Sequence, residues 1–284
     1  MLKKIILYLR MIKFSHTIFA LPFALIGFFL AYKQEHPSWI YFLLVLLAMI
    51  FARSAAMAFN RYADRYFDKL NARTASREIP SGKISEKNAL IFTFFSAAGF
   101  IITTYFMNRL VFLLSPVALF IVLGYSYTKR FTSLSHIILG VGLALAPIGA
   151  YLSVIPRFAI LPILFSFVVL FWVAGFDIIY SLQDYYFDKK IGLKSIPAAV
   201  GKKNALIISL ILHIISAALV IIIGIYFDFH WLYWIGAGIF IFLLFYQHLI
   251  VKEDDLSRVN IAFGTTNGIA SVIFATFVIM DIFF

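Results

Sequence analysis

Nine apolar runs follow one another along the chain, at roughly 14–32, 39–64, 88–106, 110–127, 134–154, 158–183, 204–226, 231–250 and 259–281. About 20 apolar residues are what a helix needs to cross the hydrocarbon core of a bilayer. No run alternates apolar with polar, so the pattern predicts an all-α, multi-spanning membrane protein of nine helices and not a barrel. The polar connections alternate in charge. One set carries Lys3, Lys4, Arg10 and Lys13, then Lys69, Arg73, Arg77, Lys83 and Lys87, then Lys129 and Arg130. Lys189, Lys190, Lys194, Lys202, Lys203, Lys252 and Arg258 continue it, whereas the other set holds only Lys33, Arg109 and Arg157. The excess of basic residues puts the N-terminus and the long loops in the cytoplasm and the C-terminus outside. Residues 1–13 are basic but lead straight into the first span without a small-residue cleavage pattern, which reads as a membrane helix and not as a cleaved signal peptide.

Composition agrees with this reading. The chain is 63% hydrophobic and 13% charged, with mean hydropathy +0.97, whereas a soluble domain is about 25% charged. The absence of cysteine excludes disulfides, thiol catalysis and thiolate metal sites. A net charge of +11 would point a soluble protein toward nucleic acid. Here the basic residues flank spans, so topology accounts for them and no nucleic-acid partner is expected. The expected surroundings are the lipid bilayer, and nothing points to an obligatory protein partner. Residues 1–284 read as one domain whose only sizeable extramembrane pieces are two loops.

The candidate chemistry lies where two spans meet those loops. Asn60, Asp64 and Asp68 recur every fourth residue and share one side of a helix, with Arg53 on the same stripe two turns back. Asp177, Tyr180, Asp184 and Asp188 cover a strip only about 80° wide on a second helix. An acid at a helix centre costs about 2.5–3.5 kcal/mol. Asp177, about 10 Å deeper than Asp184 at the helical rise, is the costliest. The plain explanation is salt bridging to Arg53, Arg61, Arg65 or the loop arginines. It accounts for one or two acids but not for two clusters with a matched period. The alternative is metal binding: carboxylates at i and i+4, with an Asn60 oxygen and no Cys or His, select Mg²⁺. Two such clusters would bracket a diphosphate, whose oxygens Arg73, Arg77, Lys129, Arg130 and Lys194 would hold. The two stretches also look duplicated, since Asp64 to Lys69 parallels Asp184 to Lys189 and Lys87 to Ile91 recurs as Lys203 to Ile207. Gly140, Gly142, Pro147, Gly149, Gly264 and Gly268 inside spans read as close helix packing, with Thr266 and Asn267 as alternative cavity-facing positions.

These motifs resemble the UbiA superfamily of intramembrane prenyltransferases. Asn60, Asp64 and Asp68 match its first acidic pattern, followed by Arg73, Thr74, Arg77 and the Pro80–Gly82 turn. Asp177, Tyr180, Asp184 and Asp188 match the second, followed by Gly192, Ser195 and Gly201. Tyr125, Tyr127, Lys129 and Arg130 match a signature between them, and Lys13 to Pro22, with His16, is similar to the family's first helix. The resemblance covers nearly the whole chain. Its one departure is that Glu78 and Ile79 separate Arg77 from Pro80, as in a subgroup of bacterial members.

The resemblance implies a nine-helix bundle with a central cavity in the bacterial inner membrane. It also implies Mg²⁺-dependent transfer of a prenyl chain from polyprenyl diphosphate to an aromatic acid. Asp64, Asp68, Asp177, Asp184 and Asp188 would be catalytic, with Asn60, Asp64, Asp68, Asp184 and Asp188 holding metal. Arg73, Arg77, Lys129, Arg130 and Lys194 would hold the diphosphate. Tyr127, Tyr180 and Phe176 would shield the allylic cation, with Tyr127 and Tyr180 also against the acceptor. Asp177 would meet the acceptor's ring proton or hydroxyl. Arg53 is either paired with Asp177 or Asp64, or clamps the acceptor carboxylate. The first acceptor implied is 4-hydroxybenzoate, for ubiquinone. The alternative is a carboxylated dihydroxynaphthoate, for menaquinone, toward which the Glu78–Ile79 variant and the Gly175–Asp177 lead-in point. The rival of another class is an ion-coupled transporter, which also uses repeats and buried acids. Its sites belong at the midplane, whereas these acids gather at one face.

Overall fold

The computed structural model describes residues 2–13, 17 and 19–284, so His16 lies outside the described residues. Among them are thirteen α-helices: α1 (Leu2–Met11), α2 (Leu21–Glu35), α3 (Ile40–Ala63), α4 (Arg65–Leu70), α5 (Glu86–Tyr105), α6 (Arg109–Thr128) and α7 (Ser135–Val154), then α8 (Ile160–Ser181), α9 (Tyr185–Ile191), α10 (Ile196–Val200), α11 (Lys202–Tyr226), α12 (Trp231–Ile250) and α13 (Asn267–Phe283). No strand occurs among the described residues. Among the described residues eight helices are long and apolar enough to cross a membrane; α2, with 15 residues, is shorter than those eight.

The bundle is built around α8, which packs between α7 and α11, while α2 lies on α7 and α13, and α3 on α5 and α6. Close approach falls where small residues permit it. A side chain on Gly27 would strike the Pro147 carbonyl, one on Gly140 the Leu170 carbonyl, and one on Gly175 the His213 ring. Gly149 and Gly264, by contrast, meet nothing within 4 Å. Large apolar side chains such as Phe94, Phe95, Phe120 and Leu249 point outward and are exposed, as a lipid-facing surface requires. Trp39, Tyr105, Tyr226 and Trp231, all exposed, mark helix ends remote from the long loops, as in an interfacial aromatic belt.

Several polar residues within the spans are satisfied by partners in neighbouring helices. Asn267, wholly buried, accepts from Trp172 Nε1 at 2.7 Å and Gln247 Nε2 at 3.0 Å and donates to the Ala262 and Phe263 carbonyls. It therefore ties α8, α12 and the π-helical turn Ile261–Thr266 together and does not face a cavity. His213 and His248 bond to one another at 2.8 Å, a structural pair. Asp281 accepts the backbone N–H groups of His230 and Tyr233 at 2.9 and 3.0 Å, capping the otherwise unpaired start of α12.

Candidate active site

Both acidic stretches sit where a long helix breaks into a short one. Helix α3 stops at Ala63, and Asp64 (φ −91°, ψ 1°) precedes α4. Helix α8 stops at Ser181, a 3₁₀ turn spans Leu182–Asp184, and Asp184 (φ −98°, ψ 5°) precedes α9. Asp68 and Asp188, four residues on, are both buried. Downstream, α5 and α11 each open on the repeated Lys-Asn-Ala-Leu-Ile segment. The sequence repeat thus has a backbone counterpart.

Asp64, Asp68, Asp177, Asp184 and Asp188 line one cleft, with Asn60, Arg73, Arg77, Lys129, Arg130 and Tyr180 on its walls. Asn60 donates to Asp64 Oδ2 at 3.0 Å, the i to i+4 contact that the spacing predicts. Arg77 donates to Asp68 Oδ1 at 2.6 Å. Arg73 leaves the first loop and reaches across to the second stretch. It holds both oxygens of Asp184, through Nε at 3.0 Å on one side, and donates to the Tyr180 hydroxyl at 3.2 Å. Asn71 adds a bond to Asp184 at 2.9 Å. Lys129 Nζ stands 3.7 Å from Asp188 Oδ2, and His136 Nδ1 2.7 Å from Asp177 Oδ2. Salt bridging is therefore part of the explanation, through the loop arginines and Lys129 and not through Arg53, Arg61 or Arg65. Arg61 donates to the Met11 carbonyl, Arg65 pairs with Glu86 at 2.8 Å, and Arg53 reaches the Lys13 carbonyl at 3.5 Å.

Two charges at the mouth are tuned by their neighbours. Asp64, just beyond α3, is raised to about 6 by burial, with the Asp68 charge adding to it and Lys129, Arg130 and Arg77 opposing. Burial pulls the Lys129 ammonium down, but Asp188, Asp177, Asp184 and Asp64 outweigh it and raise the pKa. Asp68 Oδ2 and Asp188 Oδ2 are buried without a hydrogen-bond partner. Buried carboxylate oxygens in that state are costly, and a hard cation would supply what they lack. Among the described residues no three acids or histidines converge on one point. Mg²⁺ needs only one or two carboxylates, completing its shell with water and phosphate oxygens, so Asn60, Asp64 and Asp68 on one side and Asp184 and Asp188 on the other fit it.

Several expected residues lie elsewhere. Tyr127 faces a second groove, where Arg130 covers its ring at 4.5 Å; Tyr125 lines the cleft instead. Two residues apart on a helix lie about 200° apart, so only one of the pair can face in. Lys194 is turned toward the Phe131 carbonyl at 3.3 Å, and its neighbour Leu193 meets the cleft. Phe176 is buried against Trp172, with ring centres 5.2 Å apart. Arg53 pairs with neither Asp64 nor Asp177; its Nε is buried without a partner. Asn71, Ser126, Ser135 and His136 were not expected. Asn71 lies three residues past Asp68 and was open to the same pattern argument, whereas nothing in the sequence singles out His136.

A sequence profile described as the UbiA prenyltransferase family matches residues 20–276. The chain belongs to the UbiA prenyltransferase family. It is 30% identical over 246 residues to a 4-hydroxybenzoate octaprenyltransferase of Francisella tularensis subsp. novicida, covering 87% of this chain and 86% of that one. The apo structure of a UbiA homologue from Aeropyrum pernix K1 superposes with a TM-score of 0.85 at 31% identity, over 94% of this chain and 98% of the other. A UbiA homologue from Archaeoglobus fulgidus bound to GPP and Mg²⁺ shares the fold, with a TM-score of 0.73 at 24% identity over 98% and 100% of the two chains. UbiA membership makes this protein a prenyltransferase and displaces the transporter reading.

Proposed function

We propose that this UbiA-family enzyme transfers a polyprenyl chain from polyprenyl diphosphate to an aromatic acid, with Mg²⁺, in quinone biosynthesis of the ubiquinone type. The observation that carries the reading is the gathering of both acidic stretches on one cleft, bridged by Arg73. The Francisella relative's 4-hydroxybenzoate supports the acceptor, and the GPP and Mg²⁺ in the Archaeoglobus protein support the donor and the ion.

In this reading Asn60, Asp64 and Asp68 hold one Mg²⁺ and Asp184 and Asp188 another. When bound, the ions supply Lewis-acid neutralisation of the diphosphate charge. Arg73 and Arg77 exchange their carboxylate partners for diphosphate oxygens, joined by Lys129 and Arg130. The C1–O bond of the donor breaks and its electron pair leaves with pyrophosphate, whose charge these cations stabilise. The Tyr180 ring, in the cleft, faces the allylic cation. A ring carbon of the acceptor then forms the new C–C bond. The hydrogen on that carbon passes as a proton to Asp177, which restores the aromatic ring. Arg53, with an unpaired Nε two helical turns below Asn60, clamps the acceptor carboxylate. Helix α2 completes a ring of nine spans around a central cavity, residues 1–284 forming one domain. The enzyme sits in the bacterial inner membrane with its N-terminus and active-site loops cytoplasmic and its C-terminus outside.

A carboxylated dihydroxynaphthoate presents the same carboxylate to Arg53 and is the second acceptor, as the Glu78–Ile79 variation favours. An acceptor panel with one labelled polyprenyl diphosphate, with and without Mg²⁺, tests both. The expected result is Mg²⁺-dependent pyrophosphate release with 4-hydroxybenzoate. Product from acceptors lacking a carboxylate at equal rate would overturn the clamp.

A further inference from the structure

His136 is the second residue of α7 and is wholly buried. Its Nδ1 stands 2.7 Å from Asp177 Oδ2. Its Nε2 accepts the backbone N–H of Ile196, at the start of α10, at 3.4 Å. An imidazole nitrogen that accepts an N–H carries no hydrogen, so the ring's hydrogen is on Nδ1 and is donated to Asp177. Both ring nitrogens are thereby used, and three elements (α7, α8 and α10) meet at one side chain. The Asp177 side chain, by contrast, is partly exposed and lines the cleft.

We infer that His136 is a positioning residue for the prenyl transfer. It grips one oxygen of Asp177 and fixes the carboxylate so that the other oxygen is presented to the acceptor's hydroxyl or departing ring hydrogen. It does not relay protons: Nε2 ends on a backbone amide, and the ring reaches no solvent. A proton taken up by Asp177 therefore leaves through the cleft, to water or departing pyrophosphate. This inference rests on Asp177 facing the acceptor, as proposed above.

Two amide replacements separate the ring's two bonds. In His136→Asn the side-chain NH₂ takes the place of Nδ1–H, keeping the donor to Asp177 and dropping the bond to Ile196. In His136→Gln the amide lies where Nε2 was, keeping an acceptor for Ile196 and losing the donor to Asp177. The expected result is a fall of about 100-fold in kcat for Gln, the scale set by about 1 Å of misplacement at a reacting group. The donor KM should stay unchanged, Asn should stay within a few fold of wild type, and both should melt alike. Equal kcat losses in Asn and Gln, or losses that track melting temperature, would overturn the positioning role. Asp177→Asn serves as the separate control. If it keeps full kcat, the Asp177 assignment itself fails; if it is inactive while His136→Gln turns over normally, the assignment stands and the His136 inference fails.

Discussion

Replacing Arg73 with Leu removes three contacts at once: two to Asp184 and one, at 3.2 Å, to the Tyr180 hydroxyl. In the resting enzyme the loss is modest. Asp184 keeps its bond from Asn71 at 2.9 Å, and the arginine side chain is 30% exposed against 13% for the aspartate. A pair at that depth is worth more than a surface pair, at about 0–1 kcal/mol, and less than a fully buried one, where removing a partner costs about 3–5 kcal/mol. A stability loss of about 1–2 kcal/mol lies between these limits. The catalytic effect is larger in the proposed mechanism, in which Arg73 also holds the diphosphate. A hydrogen bond to a charged group contributes about 1.5–3 kcal/mol. At about 1.4 kcal/mol per tenfold, the donor KM should rise about 10- to 100-fold. Lysine restores the charge but not the planar fork, so Arg73→Lys should fall between. Initial rates in detergent or liposomes, with labelled polyprenyl diphosphate varied at saturating acceptor and again with the roles reversed, measure both constants. An unchanged donor KM, or a rate loss matching the fraction of protein unfolded, would refute the reasoning.

Arg53→Leu should raise the acceptor KM far more than the donor KM, and equal changes in both would remove the clamp; a comparison of the two saturation curves decides it. The requirement for Mg²⁺ should also depend on pH. The Asp64 carboxyl is raised to about 6, so in the metal-free protein it contributes stability at low pH that is lost as pH rises through that value. Metal binding needs the opposite form. The Mg²⁺ concentration for half-maximal rate should therefore climb about tenfold between pH 7 and pH 5 as protons compete for that carboxylate. A Mg²⁺ requirement independent of pH across that range would count against Asp64 as a ligand.

The fold was largely legible because a bilayer imposes one strong rule, a long apolar helix for each crossing. Eight expected spans appear as such helices. The first, 14–32, includes positions outside the described residues, and its helix begins at Leu21. The acids were legible for a related reason: carboxylates four residues apart near a membrane helix end stand out against their surroundings, and all five reach the cleft. Partner choice was harder to read. Arg53, Arg61 and Arg65 lie on the same α3–α4 stretch as the first acids yet bond elsewhere, while Arg73 crosses from the first loop to the second stretch. Such pairing depends on how loops fold over the bundle, which periodicity does not encode. The last turn of α6 shows the same limit, since a single helical register decides that Tyr125 faces the cleft and Tyr127 the neighbouring groove. His136 meets Asp177 only because α7 packs on α8.

The central claim is that carboxylates from α3–α4 and from α8–α9 act together on one Mg²⁺-bound diphosphate. The most direct test is Mg²⁺-dependent pyrophosphate release by Asp64→Ala and by Asp184→Ala, each compared with wild type at equal folded concentration. Loss of release in both variants, with melting behaviour retained, is the predicted result. Wild-type turnover in either one would contradict the account.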